Sequence, residues 1–257
     1  MRLEFSLLDL RAALPGCTHP GQLRDWACGQ LTPLRDMPLP PSRHIPRLLA
    51  RRLDAGCRLA VELALELWLD HPQLQAAVFC SRHGELRRNH SILQALAAGT
   101  EVSPTDFTMS VHNAAAAGFT IASGLALPVT ALSAGADTFC QSFLEVRAML
   151  ARQLQPVLLV CYDTCLPEDY LPVLPEECRE AAWAHAVALV LSAGRGCSLE
   201  FGSSSAQEPD MPPDGGGALP QELAFLRGCL LGAARVALPA AGRPRTAILP
   251  RDAAARL

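Results

Sequence analysis

Residues 103–139 read SPTDFTMSVHNAAAAGFTIASGLALPVTALSAGADTF, and from Phe107 to Ala136 thirty residues pass without a formally charged side chain. The count alone would suit a membrane span, but His112, Asn113, Gly118, Gly124, Pro128 and Gly135 interrupt it, and helix, turn and strand signals alternate inside it. The Ala-rich run Asn113–Ser123 predicts a helix, Pro128–Ser133 a strand and Asp137–Leu154 a second helix. The turn Ser133-Ala134-Gly135-Ala136-Asp137-Thr138 therefore lies where a strand hands over to a helix. Open α/β sheets place their chemistry at such strand ends.

Working outward, Ala76–Cys80 predicts a short buried strand, Ser81-Arg82-His83-Gly84 a polar turn, and Glu85–Ala98 a helix closed by Gly99. His83 and Glu85 are read as solvated or capping residues of that turn. Apolar residues at 49, 53, 57, 60, 63, 64 and 67 recur at helical spacing, which predicts one amphipathic helix over 47–69 with Glu62 and Glu66 on its outer side. Downstream, Pro156–Cys161 predicts a strand, and Trp183–Leu191 and Cys197–Phe201 predict two more joined by a hairpin turn at Gly194-Arg195-Gly196. The alternation of strand and helix implies an α/β fold with a mixed, mostly parallel sheet and flanking helices. Four segments follow: a strand (1–10) with a Pro/Arg-rich lead-in to residue 46, a main domain over 47–201, a flexible loop over 202–219, and a C-terminal helix (220–236) with a tail to 257 expected to be disordered.

Composition narrows the chemistry. The 257 residues include 22 Arg and no Lys, which removes Schiff-base, pyridoxal phosphate and Walker-type phosphate-loop enzymes. Net charge is −3 with the Arg residues scattered along the chain, so neither nucleic acid nor membrane is an expected partner. Ten Cys show no CxxC pair, and no apolar secretory segment follows Met1. Reduced thiols in the cytoplasm are the expectation. Cys161 and Cys165 with Asp163 have a spacing read as burial, so no metal and no cofactor is expected.

The motif at 103–139 resembles the region before the nucleophile of β-ketoacyl synthases of the thiolase superfamily. Ser103, Pro104, Asn113, Thr120, Ile121, Gly124, Leu125 and Pro128 match that pattern without a gap. The combination SRHGEL, SPTDFTMSVHN and SAGADTF is most similar to the short ketosynthase-like chain length factors of aryl polyene and related type II polyketide pathways. The resemblance covers about residues 40–200 and implies a thiolase-like fold corresponding to the N-terminal half of a synthase. Continuing the count, the nucleophile position falls on Ala136. A shifted register would put Cys140 there instead. A cysteine at such an elbow works because a helix N-terminus stabilises its thiolate, and alanine has no thiol.

After Ala136 the chain has only His185, in an apolar strand where a satisfied core histidine is expected. The histidine motifs of complete synthases are absent. The resemblance therefore implies a catalytically degenerate subunit, not an enzyme, that forms a heterodimer with a full-length ketosynthase and shapes its acyl-chain pocket in polyketide, aryl polyene or fatty-acid-like biosynthesis. Substrate would arrive on an acyl carrier protein through the complex. By the same resemblance His112, Asn113, Thr120, Ile121, Pro128 and Ser133 lie along the two-fold interface, and Phe107, Met109 and Phe139 line the acyl pocket. The alternative is a thiolase-fold acyltransferase or thioesterase using Cys140, with His112 or His185 as base.

Overall fold

The computed structural model describes residues 1–173, 182–201, 219–240 and 245–250. Strands are β1 (Arg2–Ala13), β2 (Ala76–Cys80), β3 (Val129–Leu132), β4 (Val157–Asp163), β5 (His185–Phe201), β6 (Arg235–Leu238) and β7 (Arg245–Ile248). They form one seven-stranded sheet in the order β3-β2-β4-β5-β7-β6, with β1 on the other side of β5. β3, β2 and β4 are parallel, whereas β4, β1 and β7 each run antiparallel to β5, and β6 antiparallel to β7. β1, β2, β3, β4 and β7 therefore point one way, and β5 and β6 the other. This is the mixed α/β sheet the sequence predicts.

Every residue of β2 and β4 is buried, as expected of apolar strands covered on both faces. Alternate side chains feed separate cores. Val157, Leu159 and Cys161 pack with α1 (Pro20–Ala27), α7 (Thr138–Ala151) and α8 (Gln221–Leu231), while Leu158, Val160 and Tyr162 pack with α3 (Ala55–Asp70) and α6 (Ala114–Ser123). Two further helices, α4 (Leu86–Ala97) and α5 (Pro104–Met109), bury no residue fully. Gly56 in the first turn of α3 lies so close to β4 that a Cβ there would stand 2.2 Å from the Asp163 carbonyl oxygen. That contact fixes the start of α3 over the end of β4.

Four local expectations are corrected. The helix predicted over 47–69 is broken into α2 (Arg47–Ala50) and α3, because Asp54 caps the second piece by accepting from the Ala55 N–H. Glu62 is buried, not outward-facing: its carboxylate accepts from the backbone N–H groups of Arg43, His44 and Ile45 and contacts His44 Nδ1 at 2.8 Å. The predicted hairpin at Gly194–Gly196 is a bulge within one 17-residue strand, since the pairing with β1 jumps from Phe5↔Cys197 to Ser6↔Ser192. Gly194 is needed there, as a Cβ would meet Ser6 Oγ at 1.8 Å.

The fourth correction concerns the ends of the chain. The lead-in contains the last residues of β1 and a helix, α1, and the C-terminal segment expected to be disordered supplies β6 and β7. Both ends pair with β5 directly or through a neighbour. Most of the loop predicted over 202–219 lies outside the described residues.

Glu62 is the staple of the 43–45 segment, so Glu62→Ala strands three backbone donors. We expect a loss of roughly 2 kcal/mol, read from the urea midpoint, with new proteolytic cleavage at Arg43 or Arg47. An unchanged midpoint would contradict this role.

Candidate functional site

Parallel strands β2, β3 and β4 end on one edge, and the elbow sits beside them. Ala134 leads into a 3₁₀ turn at Gly135–Asp137, which runs straight into α7. Ala136 is exposed on that turn. The turn is clasped from several sides. Ser133 Oγ donates to the Arg82 carbonyl (3.2 Å), Thr138 Oγ1 accepts from the Ala134 N–H (2.9 Å) and donates to the Gly135 carbonyl (2.7 Å). Asp137 accepts from Gln221 Nε2 (3.0 Å) and pairs with Arg245 (3.1 Å). Gln221 also takes the Cys140 N–H (3.0 Å) on its Oε1 and donates to the Pro239 carbonyl (2.6 Å). The C-terminal segment thus locks the elbow in place.

Cys140 lies one helical turn further on and is fully buried. Burial, reinforced by the Asp137 carboxylate, pushes its thiol pKa up, the opposite of what a nucleophile needs. Its proposed bases are occupied elsewhere. His112 Nε2 donates to the Leu132 carbonyl at 2.9 Å, and His185 Nε2 faces Glu222 Oε1 at 2.9 Å. Neither histidine hydrogen-bonds to Cys140 among the described residues.

Beneath the elbow edge lies a polar knot that the sequence motifs do not reveal. Asp163 Oδ1 accepts from Ser81 Oγ (2.6 Å) and the His83 N–H (2.9 Å), and Ser81 Oγ accepts from the Gly84 N–H (2.7 Å). His185 Nδ1 donates to the Trp183 carbonyl at 3.0 Å. With acceptors on both ring nitrogens, a proton lies between His185 and Glu222. Burial pulls the His185 pKa down, but the Glu222 carboxylate, Asp163 and the Trp183 carbonyl outweigh it and the net direction is up. Ligand-type atoms of Asp163, His185 and Glu222 lie within 4.8 Å of one another. His185 and Glu222 are committed to each other and Asp163 to Ser81 and His83, so the group closes on itself as a structural knot. His185 is the satisfied core histidine predicted.

Glu85 corrects another expectation. It is not solvated but 2% exposed, and it makes no capping bond to α4. Burial first, then the nearby Asp54 carboxylate, raise its pKa to about 7, with Arg88 and Cys57 acting in the opposite direction.

The other predicted residues fall into two sets. Phe139 packs in the core against Phe143 and Phe225, on the sheet face opposite the one Met109 packs against, and Phe107 is 70% exposed. These three therefore do not line a common cavity in this chain. His112, Asn113, Thr120, Ile121, Pro128 and Ser133 lie on α6, in the turn before it, or in the turns flanking β3. There Ile121 is 71% and Val111 48% exposed. β3 is an edge strand whose outer side has no partner among the described residues.

A thiolase-like subunit of the ketosynthase type is what this sheet, its covering helices and the elbow define. Residues 24–244 match the β-ketoacyl synthase N-terminal domain family, and the chain belongs to that family. A structure of the ketosynthase ApeO in complex with its chain length factor ApeC from Xenorhabdus doucetiae contains a chain 33% identical to this one. That match has a TM-score of 0.83 and covers 96% of this chain and 99% of the other. The ishigamide ketosynthase/chain length factor matches in fold, at 14% identity and a TM-score of 0.61, over 77% of this chain and 66% of that one. No curated protein sequence matches. No described helix is long and apolar enough to cross a membrane.

Two predictions follow from this geometry. Glu85 has its pKa raised from 4.5 to about 7 in the folded chain, so between those values the unfolded chain gives up the proton first. Stability then falls as pH rises through that window and levels off above it, with a slope of at most about 1.4 kcal/mol per pH unit from this group. Urea midpoints at pH 5 and 8 should show Glu85→Gln flattening this dependence, and an unchanged pH profile would refute it. Ala136→Cys should be alkylated by iodoacetamide at least about tenfold faster than Cys140, as read by peptide mass mapping of the native protein. Rapid labelling of Cys140 would reverse the assignment.

Proposed function

We propose that this chain is a non-catalytic ketosynthase-like subunit, a chain length factor, that pairs with a full-length ketosynthase and bounds the pocket for the growing acyl chain. The observation that carries the reading is the elbow. It is built, braced and exposed, yet its tip is Ala136, and the nearest downstream thiol, Cys140, is buried and hard to ionise. Decarboxylative condensation would have to occur on the partner.

The surface around β3 supports the pairing. An uncharged edge strand with free backbone groups is a template for another chain, and exposed Ile121, Val111 and Phe107 add apolar area beside it. The match to a chain in the ApeO–ApeC structure agrees, since 99% of that chain is covered by one only 257 residues long. His112, Asn113, Thr120, Pro128 and Ser133 would line this interface with Ile121, while Phe107 and Met109 would meet the acyl chain across it. The pathway is of the aryl polyene or polyketide kind, in the cytoplasm, with substrate carried as a thioester on an acyl carrier protein.

Co-expression with the complete ketosynthase encoded nearest to it, purification through a tag on one subunit and light scattering test the proposal. A one-to-one heterodimer is expected, and Ile121→Glu, at a position outside the core, should abolish it. A stable monomer or homodimer that ignores the synthase would refute the reading.

A further inference from the structure

Glu62 and Glu66 stand one turn apart on α3 and line a cleft of about 390 Å³, to which β1, α1 and the chain over 40–43 also contribute. The His44 ring is held against Glu62, with Nδ1 2.8 Å from Oε1. One ligand-type atom from each of His44, Glu62 and Glu66 lies within 4.8 Å of the other two. Carboxylates at this spacing on a helix repel each other, and Glu62 is buried. Glu66 makes no hydrogen bond or ion pair among the described residues. Arg11, in the same cleft, is engaged by Asp9 and Asp70, and Arg43 meets Glu62 through its backbone N–H.

Glu62 keeps room for a ligand. Its Oε1 takes the short backbone bonds from Arg43 (2.6 Å) and His44 (2.9 Å), whereas Oε2 receives contacts of 3.3 Å from His44 and Ile45. Those N–H groups fix the carboxylate as outer-shell donors fix a metal ligand. Zinc binds imidazole nitrogen and carboxylate oxygen at about 2.0–2.2 Å, which sets ligand atoms about 3.3 Å apart in a tetrahedron. The group reaches that geometry when its side-chain ends move by at most about 1.5 Å. The sequence spacing that argued against a metal concerned Cys161, Cys165 and Asp163, and does not bear on residues drawn from the chain before α2 and from α3.

The geometry points to a binding site for a divalent cation of the zinc kind, held by His44 Nδ1, Glu62 Oε2 and Glu66, with its remaining position facing water in the cleft. The ion ties the chain before α2 to α3 and offsets the repulsion between the two glutamates. One imidazole and two carboxylates suit zinc better than calcium, which takes about six to eight oxygens. The site does not depend on the proposed function.

The test titrates ZnCl₂ into the chelator-stripped full chain, alone or in the heterodimer, wild type against variant, by calorimetry and thermal unfolding. One Zn²⁺ per chain is expected, and free Zn²⁺ at about a hundred times its Kd should raise Tm by at least about 5 °C. Glu66→Gln removes a ligand and the like-charge repulsion while leaving Glu62 and its backbone bonds in place. Without metal it should be no less stable than the wild type, yet its Zn²⁺ affinity should fall at least about tenfold, a loss that even outer-shell changes produce. His44→Ala, which keeps the backbone N–H, should lower affinity likewise. Absence of Zn²⁺ binding, affinity unchanged in both variants, or an equal rise in Tm with Ca²⁺ overturns the inference. So does a thiolate charge-transfer band when Co²⁺ replaces Zn²⁺, because it places the ion on cysteines such as exposed Cys28.

Discussion

The long strand β5 is the constraint on which the rest depends. Its whole length is paired along one side by β1, while the other side is shared in turn by β4 and then by β7. A strand can accept only one neighbour per side, so the bulge at 193–196 lets a single segment serve both ends of the chain. At its first residue, His185 meets Glu222 at the head of α8, and the residue before Glu222 is the glutamine that clasps the elbow. The elbow is therefore held both by its own Ser133 and Thr138 and, through β5 and α8, from the far end of the sequence.

That arrangement explains which parts of the molecule could be read from the chain. The segment 103–139 announces itself because its pattern is local: helix, strand and elbow follow one another in consecutive residues. The place of Ala136 on the turn between strand and helix could be read for the same reason. Glu62 was not, since its partners are backbone N–H groups seventeen to nineteen residues upstream, and helical periodicity places a glutamate outward by default. The strands β6 and β7 were missed because four-residue strands beside Pro and Arg look like a tail until β5 is there to receive them. The His185–Glu222 pair spans 37 residues, and nothing near either residue signals the other.

An elbow without a nucleophile still has physical work to do. Ser133, Thr138, Asp137, Gln221 and Arg245 hold its backbone in place. In an enzyme such bracing serves preorganisation of a reacting atom. Here the same bracing fixes a surface contour and the start of α7. The aromatic core behind it, Phe139 against Phe143 and Phe225, is then structural support, while Phe107 on α5 stands exposed.

Charge is distributed to the same end. The thirty residues leading to the elbow carry none, and they form the flank of the sheet where β3 has a free edge. A charge placed there would have to be desolvated when a partner strand approached. Arg47, Arg51 and Arg52 lie instead on α2 and the turn after it, exposed to solvent. The neutral stretch around β3 can therefore bury apolar area without desolvating a charge, while those arginines stay in water.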